Sequence, residues 1–104
     1  MIMIALIEKH RNRLEALCRT YDVRRLDLIG SSIHGDFDPE RSDLDFVVEF
    51  NNFTVENAAD RFLGLLIDLG DLFEREIDLV SYRAIRNPVF RRIVDQTRVT
   101  LYAT

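Results

Sequence analysis

Asp43 and Asp45 stand one residue apart at the mouth of an apolar run, Phe46-Val47-Val48, and eleven residues separate them from Gly30-Ser31. Alternate side chains of a strand project to the same side, so the two carboxylates are expected to converge on one spot. A third, Asp78, opens a second short apolar run after Ile77 in the same manner. Carboxylates packed so closely repel, and their ionised forms persist only with a cation between them. Mg²⁺ is the expected cation, because it takes oxygen ligands and keeps substrate phosphates in its shell. Three aspartates suit two such ions, which clamp the attacking and leaving oxygens of an in-line displacement. A Gly-Ser turn beside them can offer backbone N–H groups and a hydroxyl to phosphate oxygens. These residues together point to metal-dependent handling of a nucleoside triphosphate.

The other candidate groups have simpler readings. Asp36-Phe37-Asp38 lies between Gly35 and Pro39, where aspartates ordinarily satisfy their own turn backbone. A calcium loop starting at Asp36 fails, since Arg41 stands where glycine is needed and Val47 where the closing glutamate belongs. Arg75 and Arg83 flank the third apolar run and read first as solvated charge, with contact to a triphosphate as the second reading. Cys18 is the only cysteine, which excludes an internal disulfide. It falls in a helical pattern as a small buried residue, and neither it nor His10 has a partner that would make it a nucleophile.

The elements that must position the aspartates follow from periodicity. Apolar positions at Met3, Ile7, Leu14, Leu17 and Tyr21 predict an amphipathic helix over 2–20, whose first two turns are apolar on nearly every side. Such a helix is either deeply buried or covered by a partner. Residues 23–29 predict a strand stopping at Gly30, residues 35–42 a loop, and residues 44–50 a second strand broken by Asn51-Asn52. Thr54 starts a helix with its apolar stripe at Val55, Ala58, Ala59, Phe62, Leu63, Leu66 and Leu69, ending at or beyond Gly70. Residues 77–81 form a third strand, and Asn87-Pro88 caps a last helix with Val89, Phe90, Ile93 and Val94 on one face. Residues 99–102 add a final strand. The helix stripes are expected to be core. The fold class is α/β, a small mixed sheet flanked by helices, in a single domain spanning 1–104.

With 104 residues, 47% of them apolar and 31% charged, the chain can build a core and is not expected to be disordered. A formal charge of −4 argues against strong nucleic-acid binding by this chain alone. The apolar start lacks a basic leader and is too short to span a membrane, so a cytoplasmic location is expected.

The stretch GSSIHGDFDPERSDLDFVVEF, together with REIDLVSYRAIRNPVFRRI and the terminal Leu101-Tyr102, resembles the minimal nucleotidyltransferases of the DNA polymerase β-like superfamily. These are the antitoxin partners of HEPN-domain toxins, and the resemblance runs from residue 1 to 102. His34 departs from the pattern, standing where the family often has Arg or Lys, and the spacing before Asp43 is one residue longer than the commonest. The resemblance implies a polymerase-β-palm-like fold. It implies that Gly30 and Ser31 hold the β- and γ-phosphates of ATP, and that Asp43, Asp45 and Asp78 bind Mg²⁺, Asp78 also helping to deprotonate the attacking hydroxyl. It further implies transfer of AMP from ATP to a tyrosine of a HEPN toxin. Two alternatives remain at this level: neutralisation of the toxin by binding alone, and nucleotidyl transfer to a small molecule or an RNA end. The apolar first helix predicts a homo-oligomer or a toxin-bound complex.

Overall fold

The computed structural model describes residues 2–29 and 44–104, with side chains from residue 5 onward. Helix α1 (Ile2–Lys9) and helix α2 (Arg11–Thr20) lead into strand β1 (Val23–Ile29), and strand β2 (Leu44–Phe50) follows. Helix α3 (Val55–Phe73) connects β2 to strand β3 (Ile77–Ser81). A 3₁₀ turn (Tyr82–Ala84), helix α4 (Pro88–Thr97) and strand β4 (Val99–Ala103) complete the order. The strands form one mixed sheet in the order β3-β2-β1-β4. β1 is antiparallel to β2 and β4, whereas β2 and β3 are parallel. Parallel neighbours need a long crossover, and α3 supplies it.

The predicted α/β class, the strand positions and the caps are all present. Thr54 accepts from the Asn57 N–H at 3.3 Å and the Asn57 side chain accepts from the Thr54 N–H at 3.2 Å, a reciprocal cap that fixes the start of α3. Asn87 caps α4 through the N–H groups of Val89 (2.9 Å) and Phe90 (3.2 Å). The helix foreseen over 2–20 is instead two, interrupted at His10, whose backbone (φ −111°, ψ 13°) leaves the helical region. α3 runs through Gly70 and ends at Phe73, where Glu74 takes a left-handed conformation (φ 54°).

One sheet face carries Leu26, Leu28, Leu44, Phe46 and Val48, which pack against Ile7, Leu14, Cys18, Leu65, Leu69 and Phe73 of the helices. The other carries Ile29, Val47 and Val80, covered by Ile85 and by Val94 of α4. Not every helix stripe is core. Val55, Leu63, Ile67, Val89, Phe90 and Ile93 are exposed, because helical periodicity marks an apolar face without saying what covers it.

Arg61 is the clamp at the rear of the sheet. Its guanidinium donates to the carbonyls of Tyr21 (3.0 Å), Asp22 (2.8 Å) and Asn51 (2.8 Å), and lies 4.6 Å from the centroid of Phe50. These carbonyls belong to two turns in which Asp22 and Asn52 adopt positive φ (55° and 50°), and the Asp22 carbonyl also accepts from the Asn51 N–H at 2.9 Å, so the fork joins the two turns. Arg61→Met keeps the stem and removes the fork. It is expected to cost about 2 kcal/mol in urea unfolding, the range for several charge-assisted hydrogen bonds lost where water partly replaces them.

Candidate functional site

Asp45 and Asp78 are brought together by register. The parallel pairing of β2 and β3 aligns Leu44 with Ile77, Asp45 with Asp78 and Phe46 with Leu79. Ile77 and Leu79 pack against the helical core, as do Leu44 and Phe46. Alternation therefore turns both aspartates to the opposite face, the one that carries Val47 and Val80. Neighbouring strands lie about 4.8 Å apart, so the two carboxylates share one small region. Asp45 is half-buried and Asp78 exposed, so both reach solvent. The Leu44 N–H donates to the Glu76 carbonyl at 3.2 Å, pinning the start of β2 to the approach to β3.

β1 ends at Ile29, the register partner of Asp45. Gly30, Ser31, His34 and Asp43, and the Asp36–Asp38 pair, lie outside the described residues. Among the described residues no three His, Cys, Asp or Glu side chains gather closely enough to hold a metal. Asp45 and Asp78 set two carboxylates side by side, and carboxylate oxygens are the hard donors that Mg²⁺ takes.

Other candidate residues are elsewhere. The Arg83 guanidinium lies 4.1 Å from the Phe53 ring centroid, on the 3₁₀ turn that follows the far end of β3 from Asp78. Arg75 Nε reaches the Phe73 carbonyl at 3.5 Å. Cys18 is buried, and burial, aided by Glu15, pushes its thiol up to about 12. It stays protonated at neutral pH and offers no nucleophile. His10 packs edge-on against Phe73 at 5.4 Å between centroids. A cleft of about 630 Å³ opens beside α3, lined by Phe50, Phe53, Phe62, Leu63, Arg83 and Arg86. It includes Ser81, three residues along β3 from Asp78, and so stands apart from the aspartates.

Asp27 is a charged group inside the sheet that strand periodicity does not single out. This aspartate is fully buried in β1, with Arg25 Nε 3.0 Å from each of its carboxylate oxygens and Arg98 Nε 3.3 Å from Oδ2. Arg98 Nη1 also reaches Glu49 Oε2 at 3.4 Å. The available signal was an aspartate inside an otherwise apolar Leu26–Ile29 run, a residue type disfavoured in strands.

The nucleotidyltransferase domain family matches this chain over residues 8–100. The chain belongs to this family. It is 26% identical over 91 residues to a Methanocaldococcus jannaschii chain that carries the name of a protein adenylyltransferase, covering 88% of this chain and 86% of the relative. A minimal nucleotidyltransferase structure superposes with a TM-score of 0.65 at 28% identity, covering 89% of this chain and 90% of the other. The tri-AMPylated Shewanella oneidensis HEPN toxin in complex with MNT antitoxin provides another match, with a TM-score of 0.64 and 22% identity over 93% of this chain and 72% of that one. The last comparison concerns fold alone. The chain is a nucleotidyltransferase with the fold of the minimal branch, and Asp45 and Asp78 stand on adjacent strands of its sheet.

Proposed function

We propose that this nucleotidyltransferase is a protein adenylyltransferase that moves AMP from ATP to a tyrosine hydroxyl of a HEPN-domain toxin and so acts as its antitoxin. The observation that carries this reading is the in-register pair Asp45 and Asp78, turned by strand alternation to the solvent-reachable face of the sheet. Hard carboxylate oxygens in adjacent positions fit Mg²⁺, with Asp43 as the third ligand. The ion, when bound, neutralises charge on the phosphoryl oxygens. Gly30 and Ser31 hold the β- and γ-phosphates. The acceptor oxygen forms a bond to the α-phosphorus as the bond to the β-phosphate oxygen breaks, and pyrophosphate leaves. Asp78 receives the hydroxyl proton.

The acceptor class is supported by one relative named as a protein adenylyltransferase and by a structure of the same fold that holds an AMPylated HEPN toxin in complex with an MNT antitoxin. The exposed apolar side chains on α3 and α4 favour a second reading, neutralisation by contact alone. Intact mass of the HEPN partner after incubation with this protein, ATP and Mg²⁺ separates the two. Addition of one or more AMP units is expected. A stable complex whose partner gains no mass would leave binding as the whole activity.

A further inference from the structure

Among the described residues, helix α4 leaves most of its apolar face uncovered. Its sequence sets Val89, Phe90, Ile93 and Val94 on one side, yet only Val94 is buried. Val89 is 63% exposed, Ile93 51% and Phe90 39%. A ten-residue helix is marginal in water on its own. This one is held by the Asn87 cap, by Val94 and by Tyr82, whose hydroxyl donates to Asp95 at 2.8 Å and whose ring lies 5.0 Å from the Arg91 guanidinium. Helical apolar faces left open beside a site mark surfaces that another molecule covers.

Its location ties that face to the chemistry. Val94 packs with Ile29 and Val47. Asp45 is the register partner of Ile29 and precedes Val47 by two positions, so it projects to the same side. α4 thus lies over the sheet face that carries Asp45 and Asp78, one residue pair away from them. The charge around it is distinctive: the segment from Arg83 to Arg98 holds five arginines and one aspartate in a chain of net charge −4. Arg98 is committed to Asp27 and Glu49, while Arg86 and Arg92 are exposed.

We propose that the exposed side of α4 is the docking surface for the acceptor protein, which covers Val89, Phe90 and Ile93 with an apolar patch fringed by Asp and Glu carboxylates. Docking there sets the acceptor hydroxyl beside Asp45 and Asp78. The identity of the occupant as an acceptor rests on the adenylyltransferase reading above. Charge disfavours a second copy docked through its own α4, since that contact would bring two Arg-rich segments together. The apolar centre of the patch decides against nucleic acid, whose affinity comes from phosphate contacts.

The test measures affinity of the full chain for its HEPN-domain partner by calorimetry, alongside AMP transfer by intact mass and binding of a non-hydrolysable ATP analogue. The double variant Phe90→Glu/Ile93→Glu alters only exposed positions, and circular dichroism checks its fold. Complex affinity is expected to fall about tenfold or more, with nucleotide affinity unchanged, and Arg92→Glu is expected to weaken the complex in the same direction. A double variant that binds the partner as tightly as the wild type overturns the proposal, as does one that only dissolves a homodimer. A wild type that binds through α4 but transfers nothing removes the adenylyltransferase reading and leaves the docking surface. Transfer at wild-type rates by the double variant does the reverse. A wild type that forms no complex overturns both.

Discussion

Asp45→Asn is expected to lower AMP transfer by about a thousandfold or more, while the protein unfolds within a few degrees of the wild type. Asparagine keeps the shape of aspartate and removes its charge, so the substitution isolates electrostatics from packing. The position pairs with Asp78 across two parallel strands, and stabilisation of charge on the phosphoryl oxygens is the largest single term in such transfers. Loss of one carboxylate from a metal-dependent displacement site commonly removes several kcal/mol of that stabilisation, where about 1.4 kcal/mol is a factor of ten in rate. Stability behaves differently. Like charges directly opposite on neighbouring strands are destabilising, so neutralising Asp45 relieves a repulsion with Asp78. Single-turnover transfer measured against Mg²⁺ concentration checks both halves, and Asp78→Asn is expected to follow the same course. Wild-type rates in Asp45→Asn, with the fold intact, would move the reaction away from this pair.

That Asp45 and Asp78 each stand at the mouth of a strand was legible in the sequence because strand chemistry is local; that they pair was not. Asp45 and Asp78 each interrupt a run of apolar residues, and alternation alone assigns them the face opposite to Phe46 and Leu79. What the sequence could not supply was that β2 and β3 are neighbours in register, which depends on the α3 crossover. The caps at Thr54 and Asn87 were legible for the same local reason. The fate of apolar stripes was not. Val94 and Ile93 read alike in a helical pattern, yet one is buried and the other open, since the pattern gives a direction and not a neighbour. His10 was read within a continuous stripe because the apolar spacing carries across it; the break there is a backbone event that residue types do not announce. Arg61 and Arg98 were hidden for another reason. An arginine in sequence looks like solvated charge, and the partners that fix Arg61 are backbone carbonyls, which every residue owns. Asp43, Gly30 and Ser31 lie outside the described residues, and their roles rest on the resemblance and on the chemistry argued above.

Arg98→Met is expected to destabilise the fold by about 3 kcal/mol, whereas the double variant Asp27→Leu/Arg98→Met is expected to return to within about 1 kcal/mol of the wild type. Asp27 has a side chain only 1% exposed, and Arg98 is one of its two cationic partners. Removing Arg98 leaves a carboxylate in the centre of the sheet shared with Arg25 alone, and also strips Glu49 of its counter-charge. An uncompensated buried charge is what costs; a pair of well-packed apolar residues in the same space costs little. What the charges add is register. Arg98 is the junction between α4 and β4. β4 pairs with β1 across an irregularity, with Leu26 opposite Tyr102 but Asp27 opposite Thr100. Apolar side chains alone would tolerate a slipped strand there, while Arg25, bonded through Nη2 to Thr100 Oγ1 at 2.9 Å and through Nε to Asp27, tolerates one alignment. The double variant should therefore melt like the wild type and yet exchange the backbone amides of residues 99–103 faster. Equal protection of those amides would show that packing alone sets the edge strand, and with it the position of α4 above the aspartates.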